Sequence, residues 1–515
     1  MPTPENPTPQ LTRPRCCGCG PDLTRRDLLK GTGIALGGLA LAGCAWSAIR
    51  EAGVETAAAP GRKPLVAKPL LSYDLPRRRP QTSWRAWGGI HTKEAADQEI
   101  ARIQAELAQV AAGADFPVKF LPVSAVRSPA DVAGLADAAE ADVLIHYAAG
   151  GPQSILDAVA KSGKHVIFFL RWRSGPVSLW YEIISPRYLH QHTDFLAVKG
   201  VDNGDVVVDS LEDLAWRLRA LCGVKNTLGT RIVAIGGAGG WACPKAPELA
   251  KEKFKLDIQT VSYQDLGPLI TAARADAAAV ASARDRAEGY LRGQGIKLEV
   301  EKTPVENAFL LEQVFRGIMA RADCRAITVN HCMGTIMPMA QTTACLTLSL
   351  LNDAGYMAFC ESDFVVIPSG ILAVNISGRP QFLNDPTYPH HGTITLAHCT
   401  APRKLDGKNL EPARIVTHFE SDYGASPKVE MRKGQKVTNI IPDFKMERYS
   451  LLAGEIVDAP FLPICRSQID VAYKCPDEKV ALNMPGFHWM TWYGDYIRET
   501  GYALKKIGIA AEHLT

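Results

Sequence analysis

The sequence predicts an α/β protein: two doubly wound parallel-sheet domains followed by a β-rich antiparallel C-terminal domain with a closing helix. Three observations carry this reading. The chain has 515 residues, too many for one hydrophobic core. As far as about residue 372, apolar runs alternate with helical patterns, as parallel strands joined by crossovers do. From residue 373 the apolar segments shorten and turn residues separate them, the pattern of antiparallel structure.

Taken in order, residues 45–75 are rich in Ala, Pro and Arg ("AAAPGRKPLVAKP") and read as a tether. The first α/β domain spans 76–222. Its helical stretch "TKEAADQEIARIQAELAQVA" leads to the strand-like "ADVLIHYAAGG", and "KSGKHVIFFLRW" follows a second helix. The second spans 223–372 and opens on "GTRIVAIGGAGGWAC", a strand running into a glycine-rich turn. "GGAGG" is not G-x-G-x-x-G and no Lys-Ser/Thr follows it, so a tight turn at a strand end explains it better than a phosphate cradle. The third domain, 373–515, carries "GRPQFLNDP", "TITLAHCT", "ARIVTHF" and "VTNIIPDF", and "YGDYIRETGYALKKIGI" closes it as a helix.

Net charge is +3, without a basic cluster in the body, which argues against nucleic acid as a partner. Of the 13 cysteines, Cys16, Cys17 and Cys19 crowd the start and nine follow Cys44. An odd number scattered through apolar runs reads as buried free thiols rather than as a disulfide framework.

Residues 24–44, "TRRDLLKGTGIALGGLALAGC", place two arginines ahead of an apolar stretch too short to span a bilayer. They resemble the twin-arginine (Tat) signals of bacteria, with Leu28 where those carry Phe. "LAGC" also resembles a lipobox, in which Cys44 becomes a lipidated N-terminus; an ordinary small-residue cleavage region is the other reading. Residues 1–44 are therefore expected to be a signal peptide. The Tat machinery is an expected partner, and the protein is expected to be exported, either periplasmic or a membrane-anchored lipoprotein. Tat substrates cross already folded, often after acquiring a metal.

The acids Glu361 and Asp363 lie in the otherwise apolar "MAFCESDFVVIPSG". Buried carboxylates pair or coordinate metal. Asp385 in "FLNDP", His398 in "LAHC" and His488 in "PGFHWMTWYGD" also sit among apolar residues. Two carboxylates with one or two imidazoles suit manganese or another divalent ion.

The order of these groups resembles the L-fucose and L-arabinose isomerase family, metal-dependent aldose–ketose isomerases. The matching run is "SLLNDAGYMAFCESDF", then "SGRPQFLNDP", then "AHC" and a late histidine before "YGD". It covers about residues 325–400 and the end of the chain; earlier the likeness is architectural. The resemblance implies that Glu361 and Asp385 are metal ligands and share the proton transfers, that His488 and His398 complete the ligand set around Mn2+ or another divalent ion, and that Asp363 orients the site. It extends to His331 and Arg379 as substrate contacts, with His418 lining the same cleft. Arg379 and His418 each also carry a purely structural reading. A sugar substrate and a homo-oligomer follow from the same likeness. The export signal is a departure, because the family is cytoplasmic. It leaves two alternatives: an epimerase or lyase of the same scaffold acting on a modified sugar, and a non-catalytic sugar-binding lipoprotein.

Overall fold

The computed structural model describes residues 45–47, 59, 61–85, 87–177, 184, 186–189 and 200–515. The twin-arginine segment and Cys44 lie outside these residues.

The first sheet is built from β1 (Leu65–Ser72), β2 (Val118–Phe120), β3 (Ser124–Val126), β4 (Val143–Ala148), β5 (His165–Leu170) and β6 (Val206–Val208). All pairings are parallel, in the order β2-β1-β4-β5-β6, with β3 also on β1. β1 corrects the expected tether of 45–75. Its apolar run Leu65, Ala67, Leu70, Leu71 is fully buried, and it holds an interior position because neighbours pair on both sides. The helix Lys93–Gly113 begins at Thr92, whose hydroxyl caps the Ala95 N–H, and buries Ala96, Glu99, Ile103, Leu107 and Val110 at helical spacing.

The second sheet holds β7 (Arg231–Ile235) and β8 (Asp257–Val261); the short β9 (Ile296–Leu298) leaves to join another sheet, and β10 (Ala326–Val329) and β11 (Met357–Cys360) complete it. The order is β11-β10-β7-β8, again all parallel.

The C-terminal domain contains β12 (Phe382–Pro386), β13 (Thr393–His398), β14 (Ala413–Val416), β15 (Ser426–Val429), β16 (Lys436–Ile441), β17 (Arg448–Asp458), β18 (Ser467–Ala472), β19 (Trp489–Tyr493) and β20 (Ala510–His513). Its main sheet runs β16-β19-β12-β13-β18-β17-β20, and β16 pairs back onto β17. Six antiparallel strands thus close on themselves, which removes exposed edges. Their apolar side chains, among them Phe382, Leu396, Ile469, Trp489 and Tyr493, fill one core cluster. β9 pairs in parallel with β14, tying the second domain to the third.

The helix Ile367–Ser377 leads from the second domain to the third and packs on the helix Leu211–Thr227. Their approach is close at Gly223, where an added Cβ would lie 2.4 Å from Ile376 Cγ1. The closing helix Ile497–Ile507 packs against the same Leu211–Thr227 helix. The helix Ile367–Ser377 also contacts β11 and β19, bringing the end of the second sheet to the barrel-like sheet, which is where the acids and histidines meet.

Candidate metal centre

Glu361 and Asp363 stand in the turn directly after β11. The turn is strained: Glu361 and Ser362 have φ of 65° and 48°, a left-handed conformation that costs an ordinary residue about 1–2 kcal/mol each. Its surroundings over-determine it. The Ser362 N–H donates to the Thr328 hydroxyl at 3.1 Å. The Gly239 N–H donates to the Ser362 carbonyl at 3.1 Å, and the Phe364 N–H donates to the Gly239 carbonyl at 3.0 Å. The glycine-rich turn after β7 is therefore the brace of the acidic turn. Side chains are excluded here: a Cβ on Gly240 would sit 2.2 Å from the Cys243 carbonyl oxygen. Strain of this kind concentrates at functional sites.

Asp363 uses both oxygens. Oδ1 accepts the Val365 N–H at 3.1 Å and shapes the turn. Oδ2 lies 2.8 Å from His488 Nδ1. His488 immediately precedes β19, whose antiparallel pairing with β12 joins Asn384 to Trp489. One step further along that ladder, Asp385 comes opposite His488. His488 Nε2 then stands 3.3 Å from Asp385 Oδ1 and 3.4 Å from Glu361 Oε2. His398, at the end of β13, faces Glu361 from the other side, with Nε2 3.6 Å from Oε1. Glu361, His398 and His488 form a compact group whose donor atoms lie within 4.8 Å of one another. The Asp385 side chain is on the open side, 43% exposed.

The electrostatics match. Burial pushes the Glu361 carboxyl up, but His398 and His488 outweigh it and hold the group well below the usual carboxylate range. Burial disfavours a charged His488 ring, yet Asp363 and Glu361, with the charge of Asp385, push it up to about 10. Burial raises Asp385 against the pull of His398 and His488. Three carboxylates thus crowd one imidazole, an excess of negative charge that a cation satisfies.

The residues fit a divalent ion. His398 Nε2 is buried without a hydrogen-bond partner among the described residues. His398 Nδ1 is 3.1 Å from the Thr400 hydroxyl, which leaves Nε2 as the free donor. On His488 the Asp363 carboxylate engages Nδ1 and presents Nε2, the arrangement of metal-ligating histidines. Carboxylate oxygen with imidazole nitrogen suits ions from magnesium and manganese to zinc.

The remaining expected site residues fall elsewhere. Arg379 does not reach Asp385. It precedes β12, donates to the Tyr493 carbonyl at 3.2 Å and lies over the Tyr496 ring, at the opposite end of the β12–β19 pair. Six residues of extended chain put it about 20 Å from Asp385. His418 is buried beside Cys345 and Cys399, its Nδ1 3.3 Å from the Ser421 hydroxyl, and so does not line an open cleft. His331 is exposed just after β10, in the left-handed conformation with φ 49°, at the same sheet edge as Glu361.

Two residues at the mouth escaped the sequence reading. Trp241 follows the glycine-rich turn and is 55% exposed; its ring centroid is 5.3 Å from that of Phe487, itself 52% exposed. Trp241 also meets His488 edge-on at 6.0 Å. Their signal was present: a tryptophan directly after "GGAGG" and a phenylalanine beside the late histidine, both in loops.

No family model matches the chain, and no curated protein matches it. The class defined by the fold and site is therefore stated from geometry alone: an α/β protein with two parallel sheets and a barrel-like antiparallel sheet, with a carboxylate–histidine centre between the second parallel sheet and the barrel-like one.

Proposed function

We propose that the protein is a metal-dependent aldose–ketose isomerase that acts on a sugar outside the cytoplasm through an enediol intermediate. One observation carries this: Glu361, Asp385, His398 and His488, drawn from four separated segments, converge on one small polar centre in which His398 Nε2 has no hydrogen-bond partner among the described residues. A sugar-binding protein needs no such convergence of acids and unpaired imidazole.

Glu361, Asp385, His398 and His488 would hold the ion, with Mn2+ the preferred occupant. When bound, such an ion supplies polarisation of the sugar's carbonyl and neighbouring hydroxyl. Glu361, kept ionised by its two histidines, is the base placed to take the proton from the carbon next to the carbonyl. Asp385, on the open side and with its carboxyl pushed toward protonation, is suited to return a proton to the adjacent carbon. Asp363 fixes His488, and His488 in turn holds the two catalytic acids apart. Trp241 and Phe487 offer an aromatic wall for the apolar face of the sugar. The strand-end position of Glu361 agrees with a doubly wound second domain, where ligands gather at the carboxyl ends of strands.

The test is the full chain, stripped of metal, reloaded with Mn2+ and offered a panel of aldoses in deuterated water. Ketose formation with deuterium at C2 of the recovered aldose is expected. Epimer formation would move the reading to the same-scaffold epimerase. Absence of metal-dependent exchange with every sugar would overturn catalysis.

A further inference from the structure

On the far side of His398 from Glu361 lies a second cluster that the isomerase reading does not use. Cys345 sits in the first turn of the helix Ala344–Asp353, Cys399 directly follows β13, and His418 stands in the turn after β14. All three are buried, at 2%, 4% and 4% exposure. The two sulfurs are 3.3 Å apart, and with an imidazole nitrogen of His418 they form a group within 4.8 Å. Cys399 Sγ is 3.8 Å from His398 Nδ1, so the His398 ring separates this cluster from the carboxylates.

We propose that Cys345, Cys399 and His418 form a second metal site, for a borderline or soft ion such as zinc, separate from the oxygen-rich centre. The donor set is the argument. Two sulfurs and one imidazole select zinc or cuprous copper over magnesium or manganese, whereas Glu361 and Asp385 select the reverse. The spacing is compatible. Two zinc–sulfur bonds of about 2.3 Å at a tetrahedral angle put the sulfurs roughly 3.8 Å apart, about half an ångström beyond the present contact. Cys345 lies in the first turn of its helix, where backbone dipoles favour negative charge on its sulfur. The Ser421 contact and the backbone bond from His418 to Tyr423 hold the imidazole in place before any ion arrives. Binding releases the two thiol protons and leaves the sulfur oxidation state unchanged. Three protein ligands leave one position to water.

The experiment uses the reduced full chain, without oxygen, titrated with cobalt(II). Thiolate ligation gives a near-ultraviolet charge-transfer band that a carboxylate–imidazole site does not. The expected result is one equivalent of such cobalt per chain, displaced by zinc. The band should persist in Glu361→Gln, disappear in Cys345→Ser and in Cys399→Ser, and weaken at least tenfold in affinity in His418→Gln. A folded wild-type chain with no charge-transfer band would overturn the proposal. So would a band that survives both serine substitutions, since Cys332, Cys360 and Cys465 lie nearby. Isolation of the unreduced protein with a Cys345–Cys399 cross-link, and no cobalt uptake after reduction, would assign the pair to a disulfide instead. The glutamine variant separates this site from the isomerase centre, so failure of either leaves the other standing.

Discussion

Asp363 Oδ2 lies 2.8 Å from His488 Nδ1, joining the turn after the second sheet to the segment before β19 of the barrel-like domain. The bond spans two domains and fixes which nitrogen of His488 faces Glu361 and Asp385. Replacing Asp363 with Asn retains an acceptor for the Val365 N–H but removes the charge that selects the ring's tautomer. Partners of this kind typically contribute 10–100-fold in metal affinity. Asp363→Asn is therefore expected to weaken manganese binding by about that factor with little change in the urea midpoint. Calorimetric titration checks it, and wild-type affinity would show that Asp363 acts only on the turn.

Glu361→Gln makes the complementary cut. It keeps the side-chain volume and the strained turn but removes the charge that both histidines face. Turnover is expected to vanish and manganese content to fall, while circular dichroism stays that of the wild type. A variant that retains its full metal content would place Glu361 outside the ligand set.

The convergence of Glu361, Asp385, His398 and His488 was legible because each is a polar residue inside an apolar strand end, and the cost of burying such groups makes them conspicuous. The change from parallel to antiparallel structure near residue 373 was legible for the same periodic reasons that make β11 and β12 differ. What escaped depends on three-dimensional packing. β1 is preceded by Pro- and Arg-rich chain, and its burial comes from β2 and β4 pairing on either side, a long-range effect. Arg379 follows the helix Ile367–Ser377 by two residues, and only the β12–β19 register reveals that it points to the far end of the strands. His418 was grouped with the cleft because sequence has no means of showing that Cys345 and Cys399 enclose it.

Trp241 is predicted to act on substrate and not on metal. Its ring is exposed, touches Phe487 and reaches His488 only edge-on. An aromatic contact of this type contributes about 0.5–1.5 kcal/mol. Trp241→Ala is expected to raise KM by roughly 3–10-fold with kcat nearly unchanged and manganese affinity intact. Steady-state kinetics on the aldose that the panel selects decide it; an equal loss of kcat would place the ring against the reacting atoms.

The expectation of export rests on Arg25 and Arg26 ahead of the short apolar run. Changing both to Lys preserves charge but removes the paired guanidinium groups. The variant is expected to accumulate in the cytoplasm, still folded and metal-loaded. Fractionation of cells expressing each form checks this, and unchanged export would remove the twin-arginine reading while leaving the metal centre untouched.

The acid stability of the protein is predicted to depend on His146, far from the metal centre in sequence and in sheet. His146 lies in β4, fully buried, with Nε2 2.8 Å from the Ser72 hydroxyl and Nδ1 without a hydrogen-bond partner among the described residues. Burial alone lowers its pKa to about 4. In the unfolded chain the ring returns to about 6.5. Between these values the unfolded state binds more protons than the native one, so stability rises with pH across the window. The contribution is complete above about pH 6.5 and is lost as pH falls toward 4, amounting to about 3 kcal/mol at 1.36 kcal/mol per unit. His146→Gln keeps a partner for Ser72 and cannot titrate. It is expected to be less stable at pH 7 because the packing against Phe168 is poorer, yet to lose about 3 kcal/mol less than the wild type between pH 7 and pH 4. Urea unfolding at both pH values measures the difference directly. Equal losses in the two proteins would mean that His146 takes up its proton in the folded state as readily as in the unfolded chain, and the depressed pKa of the buried ring would have to be abandoned.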